Sequence, residues 1–188
     1  MPETRPPLAV AGQSLAALAA AIGNRALPPV ERWDPPLCGH SGMRIAADGT
    51  WFHEGKPIAR PAMRRLFATV LRREPEGGHV LVTPHEKLAI DVDVTPFRAV
   101  AMTQEGSGDQ RRIAFELDSG DALILGPSHP LKVVDGENGP SPRVLVRHGL
   151  EALVVRPLYY ELAEIALAEG HDPPGIWSDG CFFALQPE

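Results

Sequence analysis

Apolar positions along this chain follow two rhythms, a helical one and an alternating one, and glycine and proline break them apart. Residues 1–13 are proline-rich and read as a tail. Residues 14–22 (SLAALAAAI) form a helix capped by Ser14, with Gly23 and Asn24 as its stop. Residues 27–39 hold four prolines and read as an extended linker. Residues 44–46 and 50–53 are short strands around the turn Ala47-Asp48-Gly49. A helix follows, in which Met63, Leu66, Phe67, Val70 and Leu71 fall at helical spacing and predict one buried face. Arg64, Arg65, Arg72 and Arg73 fall largely off that face, and Gly77-Gly78 ends the segment. Residues 79–83, 88–94 and 97–102 then alternate as strands. The turn 105–109 (EGSGD) marks a boundary.

Beyond the boundary, strands are predicted at 111–117, 122–125, 131–134, 143–147 and 152–155, with a loop at 135–142 (DGENGPSP). Residues 157–169 form a second helix, with Leu158, Leu162, Ile165 and Ala166 on its period. Residues 175–185 close the chain as a hairpin. The elements predict an α+β fold in three parts: residues 1–40 (tail, helix and linker), 41–106 (a first α+β unit) and 107–188 (a second). Both units carry an aliphatic residue, then Arg-Pro, then a helix. Arg60-Pro61 and Arg156-Pro157 stand 96 positions apart. At that offset Ile58 meets Val154, Leu66 meets Leu162, Leu71 meets Leu167 and Val80 meets Ile176. We read this as an internal duplication, whose halves enclose a groove suited to a ligand.

Composition changes this picture little. At 44% hydrophobic and 22% charged residues, the chain can build a packed core. A net charge of -6 argues against a phosphate backbone as partner. No apolar run spans a bilayer. With only Cys38 and Cys181, far apart and outside any CxxC pair, the chain reads as a reduced, cytoplasmic protein. Cys38 beside His40 falls short of a metal site, and seven scattered histidines form no HxxxH pair, so no metal is expected.

Two features suggest binding chemistry. Arg60 and Arg156 precede a helix-opening proline, and arginine cannot accept the free N–H groups of a first turn. Each start therefore offers donors beside a guanidinium, a site for phosphate or carboxylate, unless the arginines pair with Asp48, Glu86 or Glu151. The turn Thr83-Pro84-His85-Glu86-Lys87 offers Thr83 and Lys87 to phosphate oxygens and Glu86 to a ribose hydroxyl; it lacks every phosphate-loop pattern. Trp51 and Trp177 sit beside Asp-Gly turns, as core residues or as stacking surfaces on one shared groove. The arginine-rich first helix reads as a solvated face.

Residues 43–102 resemble a bacterial family, the domain of unknown function 1285. The resemblance rests on Asp48-Gly49-Thr50-Trp51, on Gly55-Lys56-Pro57-Ile58-Ala59-Arg60, on Leu66-Phe67 and on Leu81-Val82-Thr83-Pro84-His85-Glu86-Lys87. It implies a two-part α+β fold with a duplicated core and a pleckstrin-homology-like C-terminal unit. It also implies a groove for a nucleotide-like ligand and a signalling role, with no established enzymatic activity. The reading that follows is a non-enzymatic module binding an anionic, nucleotide-like small molecule, its cofactor unspecified. Arg60, Arg156, Thr83 and Lys87 would hold the anion, Trp51 or Trp177 would stack, and Glu86 and Asp48 would complete the site. Two alternatives stand beside it: a scaffold whose C-terminal unit binds a protein partner, and a hydrolase built from Asp48, His85 and Glu86, which requires those three to converge.

Overall fold

The computed structural model describes residues 14–23 and 26–187; the predicted N-terminal tail and Asn24 lie outside them. The first half contributes β1 (Leu37–Ile45), β2 (Trp51–His53), β3 (Lys56–Pro57), the helix α2 (Pro61–Thr69), β4 (Leu71–Arg73), β5 (His79–Val82) and β6 (Lys87–Val92). It is preceded by α1 (Leu15–Gly23) and by a single 3-10 turn at Val30–Arg32. The second half contributes β7 (Phe97–Glu105), β8 (Arg112–Leu117), β9 (Ala122–Leu125), β10 (Leu131–Gly136), β11 (Gly139–Arg147) and β12 (Leu150–Val154). The helix α3 (Arg156–Glu169) and the hairpin β13 (Gly175–Ser178) and β14 (Cys181–Ala184) follow.

Each half builds one six-stranded sheet. The orders are β3-β2-β1-β6-β5-β4 and β9-β8-β7-β12-β11-β10. In both, the first and sixth strands pair in parallel at the centre, and every other pairing is antiparallel. The two sheets share one plan, so the duplication holds. The second sheet curls into a half-barrel, in keeping with a pleckstrin-homology-like unit. The sheets change over between Val92 and Phe97, because β7 pairs with β8 and β12 rather than with the first sheet.

Alternation decides what each strand faces. In β8, Ile113, Phe115 and Leu117 enter a core shared by both sheets, where Met43, Ile45, Trp51 and Leu81 meet them. Ala114 points to the opposite face, where it packs with Ala122 against Leu15 and Leu18 of α1. In β5, Leu81 joins the shared core, whereas Val80 and Val82 face outward and are covered by Val30 and Trp33. Residues 27–39 are thus a cover for the first sheet that leads into β1, not merely a linker.

Several expectations change. The first helix stops at Thr69, and Leu71, Arg72 and Arg73 belong to β4. The strand pairs with β5 through Leu71 and Leu81, so the helical period of residues 63–71 is overridden by a buried strand at its end. Met63 and Leu66 of α2 are exposed, while Phe67 and Val70 pack on the core. Residues 135–142 form a hairpin tip rather than a loop: Asp135 pairs with Pro140 and Val133 with Pro142. The prolines fit because β11 pairs with β12 only from Arg143 onward, leaving their missing N–H groups without a ladder to break.

The offset of 96 also needs correction. In the first half the helix lies between the third and fourth strands; in the second it follows the sixth. The matching strands stand 60 positions apart at β1 and β7, at β4 and β10, and at β5 and β11. The two Arg-Pro helices occupy different places in the shared plan.

Candidate functional site

Two clefts open where the sheets meet. The larger encloses about 690 Å³. The β10–β11 hairpin tip, including Asn138 and Ser141, lines one side; Arg156, Tyr159 and Tyr160 of α3 line another, and Ala47, Asp93 and Val94 come from the first half. The end of β12 leads directly into α3, so the fold sets the helix start at the cleft. The N-cap Val155 offers no side-chain acceptor and Pro157 has no N–H. The positive end of a 14-residue helix therefore borders the cleft beside the Arg156 guanidinium. Arg156 Nη2 donates only a long bond, 3.4 Å, to the Asn138 carbonyl. Tyr159 packs inward and its hydroxyl donates to the Leu185 carbonyl at 2.6 Å; burial raises its pKa. Tyr160 is 57% exposed and offers its ring to solvent.

Arg143 borders this cleft and the smaller one, which encloses about 360 Å³. Its Nε donates to Ser141 Oγ at 3.2 Å, and its Nη1 stands 3.5 Å from Glu151 Oε2. Glu151 is buried and takes its nearer partner, Lys132 Nζ, at 2.6 Å. Arg73 Nη1 donates to the Gly149 carbonyl, and Arg73 has no carboxylate partner among the described residues. His79, opposite Arg73 in the β4–β5 pair, has its pKa lowered by burial and then by the Arg73 charge.

A third crevice, of about 10 Å³, holds at most one water. Trp51, Arg64 and Asp118 border it. The Asp118 carboxylate accepts the Arg98 N–H at 3.0 Å. Its outer edge meets solvent, but Oδ2 is crowded against Gly49, where an added Cβ would come within 2.9 Å. Desolvation there pushes Asp118 up to about 6, against the pull of that bond and of Arg98 and Arg64.

Of the site residues predicted from the sequence (Asp48, Trp51, Arg60, Thr83, Glu86, Lys87, Arg156 and Trp177), Arg156 borders the larger cleft and Trp51 the third crevice; the others line none of the three. Trp51 is 5% exposed and stacks on Phe67, so it is a core residue. Trp177 packs against Phe182 on the far side of its hairpin from the buried Ile176 and Phe183, and does not share a groove with Trp51. Arg60 caps α2 without a side-chain bond and is exposed, so it pairs with none of the suggested carboxylates. Thr83 Oγ1 accepts the N–H groups of His85 and Glu86, which makes it a turn-former. Glu86 is exposed. Lys87 is held by Glu74 at 3.1 Å and Asp34 at 3.7 Å. Asp48 accepts the Thr50 N–H at 2.9 Å, which holds its carboxyl below the usual range.

The parallel register of β1 and β6 matches Leu37 with Lys87 and Ile45 with Val92. The 83–86 turn and the 47–49 turn therefore lie at opposite ends of six-residue β6, about 20 Å apart. Asp48 cannot converge with His85 and Glu86, and the proposed hydrolytic trio is not assembled. Among the described residues no group of three His, Cys, Asp or Glu side chains is placed to hold a metal ion, and no helix is long and apolar enough to cross a membrane. The residues that sequence reading missed are Arg143, Tyr159, Tyr160, Arg73 and His79. The usable signal was the hairpin tip 135–142, which lies close in sequence to Arg143 and precedes the α3 start.

Family models for the N-terminal and the C-terminal domains of the DUF1285 family match residues 28–95 and 96–185. A crystal structure of a DUF1285 family protein from Silicibacter pomeroyi DSS-3 is 42% identical, with a TM-score of 0.81 over 94% of this chain and 96% of that one. A DUF1285 family protein from Shewanella baltica OS155 is 19% identical, with a TM-score of 0.49 over 65% of this chain and 90% of that one. No curated protein matches.

Proposed function

This chain belongs to the DUF1285 family, and from that premise we propose that it is a non-enzymatic binding module for an anionic, nucleotide-like small molecule, with signalling as its output. One observation carries the reading: the larger inter-sheet cleft brings an uncapped helix start, the free donors of Arg156 and the ring of Tyr160 together in about 690 Å³. That volume suits a mononucleotide-sized ligand. The anion meets Arg156 and the first-turn amides of α3; the ring packs on Tyr160. The concave lining, which mixes apolar side chains with Asn138, Ser141, Arg143 and the carboxylates Asp93, Asp135 and Glu137, favours a small molecule over a flat protein partner. The anion-binding part therefore moves from Arg60, Thr83 and Lys87 to Arg156.

A thermal-shift series tests this with adenosine, guanosine, cytidine and uridine monophosphates and inorganic phosphate. Ligand at 100 times its Kd stabilises the fold by about 2.7 kcal/mol. A shift with a nucleotide that is lost in Arg156→Gln supports the reading. A flat response to every probe at millimolar concentration, or a shift kept in full by Arg156→Gln, defeats it.

A further inference from the structure

The two clefts are not independent. Arg143 and Val94 border both. The connection 93–96, which carries the chain from β6 into β7, runs between them. We propose that the clefts form one bipartite groove, and that its ligand is an elongated molecule with two anionic groups, the second of which lies in the smaller cleft against Arg73, His79 and Arg143. This rests on the reading that the larger cleft takes an anionic small molecule.

The charges of the smaller cleft support the assignment. Of its two carboxylates, Glu151 is shared between Lys132 at 2.6 Å and Arg143 at 3.5 Å, and Asp91 is largely exposed, 3.4 Å from His40. Its cations are less committed. Arg73 gives one donor to the Gly149 carbonyl; Arg143 gives Nε to Ser141 and sets Nη1 beside Glu151, which leaves further guanidinium donors on each. Arg143 stands where the two compartments join, so one guanidinium can face both ends of a bound molecule. A mononucleotide fills the larger compartment only. A second phosphate gains contacts with a half-buried site that already pays for bringing arginines together.

The groups facing His79 are Arg73 on β4, Glu151 on β12, Arg143 on β11 and Asp91 on β6. Protonation of His79 adds a donor and a positive charge to this compartment alone.

The test is calorimetric titration of the full chain with adenosine monophosphate and with two relatives that carry two separated phosphate groups. One is an adenosine bisphosphate with a phosphate on each side of the ribose; the other is a phosphorylated diadenosine with longer reach. We expect at least one of these two-phosphate probes to bind about tenfold or more tighter than the monophosphate. In Arg73→Gln, and separately in His79→Gln, the ratio of the two affinities falls toward one. Equal affinities in the wild type, or a ratio unchanged in both variants, overturn the bipartite groove while leaving the larger cleft as a site. Absence of binding by all three probes overturns both.

Discussion

The two halves use one strand plan but place their helices differently, and the difference explains where the cleft lies. After its sixth strand, the first half runs straight into residues 93–96; after its sixth strand, the second half turns into α3. Both exits border the larger cleft, one as Asp93 and Val94, the other as Val154 and Arg156. The duplicated positions therefore face each other, but only one of them carries a helix start and its donors. The helices are also held differently. The last turn of α3 is tied within its own half, where Glu169 meets the buried Arg111 at 2.7 Å and the Gly108 N–H at 3.3 Å. The last turn of α2 is tied across halves, where Arg147 donates to the Ala68 carbonyl and lies 5.1 Å from the centre of the Phe97 ring. A duplicated topology has thus been fastened by unlike contacts, and the binding chemistry follows the asymmetry rather than the repeat.

That comparison can be broken by mutation, beginning with the largest effect. Glu169→Ala leaves Arg111, 7% exposed, without its charge partner, and should cost about 3 kcal/mol in urea unfolding. An Arg111→Met, Glu169→Leu double variant should recover much of that loss, since no charge is then stranded. The leucines matched at the 96-residue offset come next. Leu162 and Leu71 are fully buried, whereas Leu66 and Leu167 are 46% and 72% exposed. Leu162→Ala and Leu71→Ala should each cost about 2–5 kcal/mol, and Leu66→Ala and Leu167→Ala less than about 1 kcal/mol. Similar losses within either matched pair would restore the 96-residue alignment. Arg147→Met removes one cross-half hydrogen bond and one ring contact, for an expected cost of about 1–3 kcal/mol.

The smallest effect concerns pH. Asp118 is raised to about 6 in the folded chain, above its ordinary 3.8, so the folded state binds the proton more tightly. Its contribution therefore improves as pH falls from above 6 toward 4. Glu169 runs the other way: Arg111 lowers its pKa, and the stability it gives is lost only as pH falls below about 4.5 and through its folded value. Asp118→Asn should gain stability relative to wild type at pH 7.5 and lose that advantage at pH 4.5. A difference between the two that does not vary over this range would place the Asp118 carboxylate in bulk-like solvent.

Much of the fold was legible in the sequence because alternation and turn chemistry act locally. The Asp48-Gly49 turn, the strands of both units, the capped helix at Ser14 and the closing hairpin all follow from neighbouring residues. What failed was long-range. Leu71 continues a helical period, but its partner Leu81 lies across a hairpin and makes it a strand residue. The Arg-Pro pattern repeats in sequence because it is a good way to start any helix, so its recurrence said nothing about equivalent places in the sheet. The candidate site was less legible still. Thr83 and Lys87 look available in the sequence, but one is absorbed in its own turn and the other in ion pairs with Glu74 and Asp34. Arg73 gave no local signal and Arg143 only its closeness to the 135–142 turn, because the cleft they border exists only once the two sheets have packed.

The central claim is that the inter-sheet cleft, and not the 83–87 turn, takes the ligand. Backbone NMR of the isotope-labelled chain during titration with adenosine monophosphate tests it most directly. Our account predicts shift changes at the hairpin tip 135–142, at Arg143 and through the first turn of α3 from Arg156 to Tyr160, with the 83–87 turn unmoved. Changes centred on Thr83 to Lys87, with Arg156 to Tyr160 silent, would contradict it.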